Sequence, residues 1–128
     1  MKKQFLSILL FGLFFSLTAC AATAIKLGES DNGTTINLNT GDKFTLTLPG
    51  NPTTGYSWEI NEIDSTLIEL VGEPTYEADS NRIGSGGMFT FTFKALSAGR
   101  SNIKLIYHRS FEQGVEPADI YQVTLDVK

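Results

Sequence analysis

Apolar side chains fall on every second position through long stretches of this chain. Phe44, Leu46 and Leu48 alternate with Lys43, Thr45 and Thr47, and Phe89, Phe91 and Phe93 alternate with Thr90, Thr92 and Lys94. The same step separates Ile103, Leu105 and Tyr107, and again Tyr121, Val123, Leu125 and Val127. A period of two puts each set on one face of an extended strand, with its polar neighbours on the other. One buried face and one solvated face is the pattern of an antiparallel sheet.

Turn residues punctuate these runs: Asp31-Asn32-Gly33, Thr40-Gly41-Asp42 and Ser97-Ala98-Gly99. Between them the pattern predicts strands over residues 34–38, 43–48, 56–60, 88–95, 101–108 and 119–127. Residues 65–71 are expected to start as a helical turn and end extended, and short strands are expected at 25–27 and 74–78. Residues 79–87 and 109–118 are expected to be loops. Short strands with turn signals about 8–12 residues apart predict an all-β fold, an immunoglobulin-like antiparallel β-sandwich of seven to eight strands. Trp58 stands in step with Tyr56 and Ile60 and is expected in its core, and Tyr56 and Tyr107 also favour the core.

The N-terminus follows a different rule. Lys2 and Lys3 precede an apolar run, residues 5–17, interrupted only by Ser7, Gly12 and Ser16. The run is shorter than the roughly 20 apolar residues of a membrane span and predicts a secretory signal peptide. Leu17-Thr18-Ala19-Cys20 is similar to a bacterial lipobox, which implies a lipid on Cys20 as the first mature residue. Cleavage after Ala22 or Ala24 is the alternative. The expected organisation is a signal peptide with lipobox over residues 1–20 and one domain over 21–128. The expected location is the periplasm or the outer membrane, anchored through Cys20, or secretion if Cys20 is not lipidated. Cys20 is the only cysteine, so the domain forms no internal disulfide and depends on its apolar core.

Charge narrows the partners. The chain has 14 acidic and 10 basic residues, and Lys2 and Lys3 belong to the leader. The remaining domain is acidic and has no basic cluster, which disfavours nucleic acid and anionic lipid surfaces as partners. A monomer is the default expectation.

Catalytic chemistry finds little support. His108 is the single histidine, and a zinc site needs further His or Cys ligands, so no metal and no cofactor is expected. Gly84-Ser85-Gly86-Gly87 lacks the Gly-x-Ser-x-Gly spacing of a nucleophile elbow and the lysine of a phosphate loop. Paired carboxylates, Glu73 with Glu77 or Glu112 with Glu116, are more simply part of an acidic surface. An enzyme is not expected.

The distinctive segment is Asn51-Pro52-Thr53-Thr54-Gly55-Tyr56-Ser57-Trp58, an uncharged turn between two strand runs. Pro52 fixes its own φ and pushes Asn51 toward extended geometry, and Gly55 permits a positive φ. An ordered turn loses little entropy when pressed into a partner. Two further loops differ from their surroundings: the glycine-rich 81–87, and the loop that opens with Arg109-Ser110-Phe111.

Asn-Pro-Thr-Thr-Gly followed by an aromatic residue, one further residue and Trp resembles the signature loop of the chagasin-type inhibitors of papain-like cysteine proteases. The resemblance spans residues 36–127 and implies an immunoglobulin-like fold and a wedge of three loops at one end. It implies that Asn51, Pro52, Thr53, Thr54, Gly55 and Tyr56 form the central loop, with Thr53 and Thr54 over the catalytic Cys–His pair. Gly84, Ser85, Gly86 and Gly87 match the family's Gly-x-Gly-Gly on one side of the cleft. Arg109 and Phe111 stand where the family has Arg-Pro-Trp on the other side, with Ser110 in place of Pro and Phe111 in place of Trp. The implied function is reversible, competitive, non-covalent inhibition. The alternatives are an immunoglobulin-like adhesion or ligand-binding domain, or a structural lipoprotein, of the cell envelope.

Overall fold

The two clearest alternating runs become neighbours. In the computed structural model, which describes residues 24–128, β3 (Lys43–Gly50) pairs antiparallel with β7 (Gly87–Ala95). The register sets Phe44 opposite Phe93, Leu46 opposite Phe91 and Leu48 opposite Phe89. Cross-strand apolar pairs of this kind are the unit of sheet stabilisation, and all six side chains are buried. The expected leader and lipobox, with Cys20, lie outside the described residues.

Nine strands form two sheets. β1 (Ile25–Leu27) flanks β3 in the first sheet, while β5 (Ile68–Leu70) and β6 (Thr75–Ala78) share the far edge of β7. The second sheet has the order β2-β9-β8-β4, built from β2 (Thr35–Leu38), β9 (Asp119–Val127), β8 (Gly99–His108) and β4 (Ser57–Glu62). Its inner face carries Ile103 opposite Val123 and Leu105 opposite Tyr121. The two faces close on a core with no buried polar or charged residue among the described residues. Trp58 belongs to that core, as its alternation predicts. Tyr56 and Tyr107 are half-buried at its rim.

The expected sandwich is present, with two differences of detail. There are nine strands, because both short runs, 25–27 and 75–78, are paired. Two pairs are parallel: β1 with β3, and β2 with β9. The chain leaves β1, reverses into the opposite sheet as β2, and reverses again to re-enter the first sheet as β3. Two reversals restore the original direction. Residues 65–71 divide as expected: Asp64 accepts the Thr66 N–H and hydroxyl across a turn, and only Ile68–Leu70 is strand.

One buried polar tip ties the sheets to the start of the chain. The Tyr121 hydroxyl donates to the Gly28 carbonyl at 3.1 Å. Burial, with a smaller contribution from the Asp31 charge, raises its pKa well above the ordinary 10.0. The sign follows from proton counting: above pH 10 the unfolded chain releases this proton while the folded chain keeps it. The domain is therefore expected to lose stability as pH rises beyond 10, and Tyr121→Phe to flatten that loss. Urea melts of both proteins between pH 8 and 11 check it, and equal slopes would count against it.

Candidate functional site

The loops joining β3 to β4, β6 to β7 and β8 to β9 emerge at one end of the sandwich. The first is short and internally braced. Asn51 is extended, Pro52–Thr54 forms a single 3-10 turn, and Gly55 closes it at φ 84°. The Asn51 Oδ1 accepts from the Thr53 N–H at 3.2 Å and from the Thr53 hydroxyl at 2.6 Å, the action of an N-cap. The Thr54 hydroxyl donates to the Asn51 carbonyl at 2.6 Å, and the Gly55 N–H to the Pro52 carbonyl at 3.0 Å. Pro52, Thr53, Thr54 and Gly55 are exposed, and none of them is charged.

The other two loops are tied to this one. Asn51 Nδ2 donates to the Gly84 carbonyl at 2.9 Å. On the opposite side, Arg109 Nε donates to the Thr54 carbonyl at 3.0 Å. The Phe111 ring lies against Gly55, where an added Cβ would come within 3.1 Å of it. The sequence-predicted loops thus meet in one continuous edge, with the Thr53-Thr54 turn in the middle.

The aromatic residues beneath the edge connect it to the core. Trp58 Nε1 donates to the Pro49 carbonyl at 2.9 Å, and its ring lies 5.1 Å from that of Tyr107. The Tyr107 hydroxyl accepts from the Asn51 N–H at 2.7 Å. Tyr56 stacks on Tyr107 at 5.3 Å. The Arg109 guanidinium sits 4.4 Å above the Tyr56 ring and donates through Nη1 to Glu112 Oε1 at 2.9 Å. That bond holds the Arg109 pKa above its ordinary value. Arg109 therefore directs Nε to the central turn and Nη1 to its own loop. Tyr56 forms the floor beneath Arg109 rather than the crest of the edge.

The glycines divide by cause. Gly84 is exposed and takes φ 81°, which a side chain would strain. Ser85 is half-buried and donates its hydroxyl to the Ser80 carbonyl at 3.0 Å. Gly86 packs near the Gly50 carbonyl, and a Cβ there would make ordinary contact with it at 3.4 Å. Gly87 is the first residue of β7 and is buried, and a Cβ there would run into the Glu77 carbonyl, the Tyr76 hydroxyl and Ala78 Cα. Packing against β6 explains its lack of a side chain.

His108 ends β8 with its Nε2 2.6 Å from Glu59 Oε2 on the neighbouring strand. Ser57 stands opposite it in the register, yet no hydroxyl–imidazole hydrogen bond forms among the described residues. The alternation and motif arguments missed Ile83. It is fully exposed at the tip of the glycine-rich loop, beside Gly84. Its signal was available as the one large apolar residue among Ser, Asn, Arg and Gly. Phe111 is 72% exposed on the other flank, so an apolar side chain stands on each side of the turn. A binding edge of this form is expected to use both. Ile83→Asp should weaken partner binding by about 1–3 kcal/mol and leave the melting temperature unchanged. Calorimetry on the complex checks the first part and a thermal melt the second.

The sandwich presents a loop edge with an exposed, uncharged turn at its centre. Residues 37–125 match the model of the chagasin family peptidase inhibitor I42, and the chain belongs to that family. Chagasin family proteins are peptidase inhibitors, and the chain is not an enzyme. It is 33% identical over 87 residues to Amoebiasin-1 of Entamoeba histolytica, covering 66% of this chain and 82% of the relative. It is 30% identical over 88 residues to Chagasin of Trypanosoma cruzi, covering 66% and 80%. The crystal structure of the cysteine protease inhibitor EhICP2 from Entamoeba histolytica superposes with a TM-score of 0.74 at 28% identity, covering 82% of this chain and 96% of that one.

Proposed function

We propose that this protein is a reversible, competitive inhibitor of papain-like cysteine proteases, and that it closes the active-site cleft with its three tied loops. One observation carries the reading: Asn51 and Arg109 join the flanking loops to an exposed, uncharged turn and so pre-form a wedge. Such a cleft is narrow and has a thiolate–imidazolium pair at its floor. A turn of Thr, Thr and Gly can enter it without burying an unpaired charge, and pre-ordering lowers the entropy lost on binding. EhICP2, which shares the fold, is itself named a cysteine protease inhibitor.

Titration of the purified protein against papain, following residual activity, tests this. Stoichiometric loss that reverses on dilution is expected. No inhibition of papain by the folded protein would overturn the reading and favour an adhesion or ligand-binding role. A covalent adduct seen by intact mass would remove the non-covalent part alone.

We also propose that the domain is exported, works as a monomer and is anchored through a lipid on Cys20. The geometry suits an anchor. Ile25, at the start of β1, pairs with Phe44 in parallel, so the chain enters the sandwich about 23 Å along the strand from Asn51. A tether there leaves the loop edge facing away from the membrane. Detergent-phase partitioning that is lost in Cys20→Ser is the expected result.

A further inference from the structure

A wedge placed over a catalytic thiolate faces a hazard, because it is a peptide offered to a peptidase. Attack needs a carbonyl carbon about 3–3.5 Å from the sulfur, in line, with its oxygen turned to hydrogen-bond donors of the enzyme. The central turn denies this at three of the four carbonyls from Asn51 to Thr54. The Asn51 carbonyl accepts from the Thr54 N–H and the Thr54 hydroxyl. The Pro52 carbonyl accepts from the Gly55 N–H. The Thr54 carbonyl accepts from Arg109 Nε. Each of these oxygens is turned toward the inhibitor's own donors. The 3-10 turn also keeps the segment from extending along the cleft as a substrate strand must.

Two side chains hold the turn shut from outside its own backbone ring. Asn51 supplies Oδ1 to the Thr53 N–H and hydroxyl and reaches across to Gly84. Arg109 reaches the Thr54 carbonyl from a position 55 residues away. Glu112 and the Tyr56 ring fix the guanidinium so that its Nε points at that carbonyl.

On the basis of the proposed inhibitory function, we infer that Asn51 and Arg109 are positioning residues that keep the inhibitor from becoming a substrate. Release of either clamp lets residues 51–56 extend in the cleft. The protease then runs its ordinary reaction. Its thiolate adds to the freed carbonyl carbon, the C–N bond breaks, and the imidazolium proton leaves with the new amino terminus. Water then hydrolyses the thioester to a carboxylate. The inhibitor chain gains one water and is cut in two.

The test incubates papain with the wild-type protein and with Asn51→Ala, Asn51→Asp, Arg109→Ala and Arg109→Lys. Residual activity and intact mass are followed over hours, and a thermal melt of each variant controls for folding. Wild type is expected to inhibit and stay whole. Asn51→Ala and both Arg109 variants should inhibit at first, then release activity as a nick appears within residues 51–56, about tenfold or more faster than in wild type. Asn51→Asp keeps the acceptors for Thr53 and loses only the donor to Gly84, so it should be cut more slowly than Asn51→Ala. Arg109→Lys separates bracing from charge, since it keeps the cation and loses the fork. Variants that bind more weakly yet remain uncut by excess active papain would overturn the inference and make both residues plain contacts. A wild-type protein that never inhibits would remove the proposed function itself, and this inference with it.

Discussion

Thr54→Arg is expected to abolish tight inhibition of papain while leaving the fold untouched. Thr54 is exposed at the centre of the loop edge, and its hydroxyl bonds only to the Asn51 carbonyl within its own turn. Arginine there would carry a charge into a desolvated cleft. An uncompensated buried charge costs about 3–5 kcal/mol, which weakens binding by roughly a hundred- to several-thousand-fold. The lost turn hydrogen bond adds only about 1 kcal/mol, and the melting temperature should move by a few degrees at most. Inhibition titration with a parallel thermal melt checks both halves. Unchanged inhibition by the arginine variant would show that the turn stays outside the cleft.

Trp58→Ala should have the opposite profile, with stability and inhibition falling together. The ring is only 8% exposed, and removing a buried tryptophan costs about 3–5 kcal/mol. For a domain of this size that lowers the melting temperature by roughly 10–30 °C. Inhibition suffers because Trp58 supports Tyr107, and Tyr107 holds both the Asn51 N–H and the Tyr56 ring. Trp58→Phe keeps most of the packing but leaves the Pro49 carbonyl without its donor, a loss of about 1–3 kcal/mol. Chemical denaturation of the three proteins orders them. Equal stability of the alanine variant and wild type would remove Trp58 from the core.

Much of the loop edge is legible in the sequence. The Asn51-Pro52-Thr53-Thr54-Gly55 turn was readable because its constraints are local: a proline ring, an Asn cap and a glycine φ act over five residues. The loop position of Phe111 is legible in the sequence, and its side chain is exposed there. Ile83 was passed over because loop residues have no periodicity to betray exposure. The steric reason for a glycine at position 87 lies across the sheet in Glu77 and Tyr76, far from it in the chain. Arg109 was legible as important and not as a brace. Its partner carbonyl lies 55 residues away, and nothing near it in the chain points there.

The division follows from the range of the forces involved. Alternation of apolar and polar residues by itself determined which faces of β3, β7, β8 and β9 are buried, because side-chain direction in a strand depends only on the parity of the position. Turn chemistry determined where strands stop. Pairing is a different matter. Any strand with an apolar face can pair with any other, so only the closed sandwich decided that β1 runs parallel to β3 and β2 to β9. The same closure brought three loops to one edge and set Asn51 and Arg109 on either side of the Thr53-Thr54 turn. Those hydrogen bonds join groups far apart in the chain, and they form only after the packing of two sheets has placed donor and acceptor within reach.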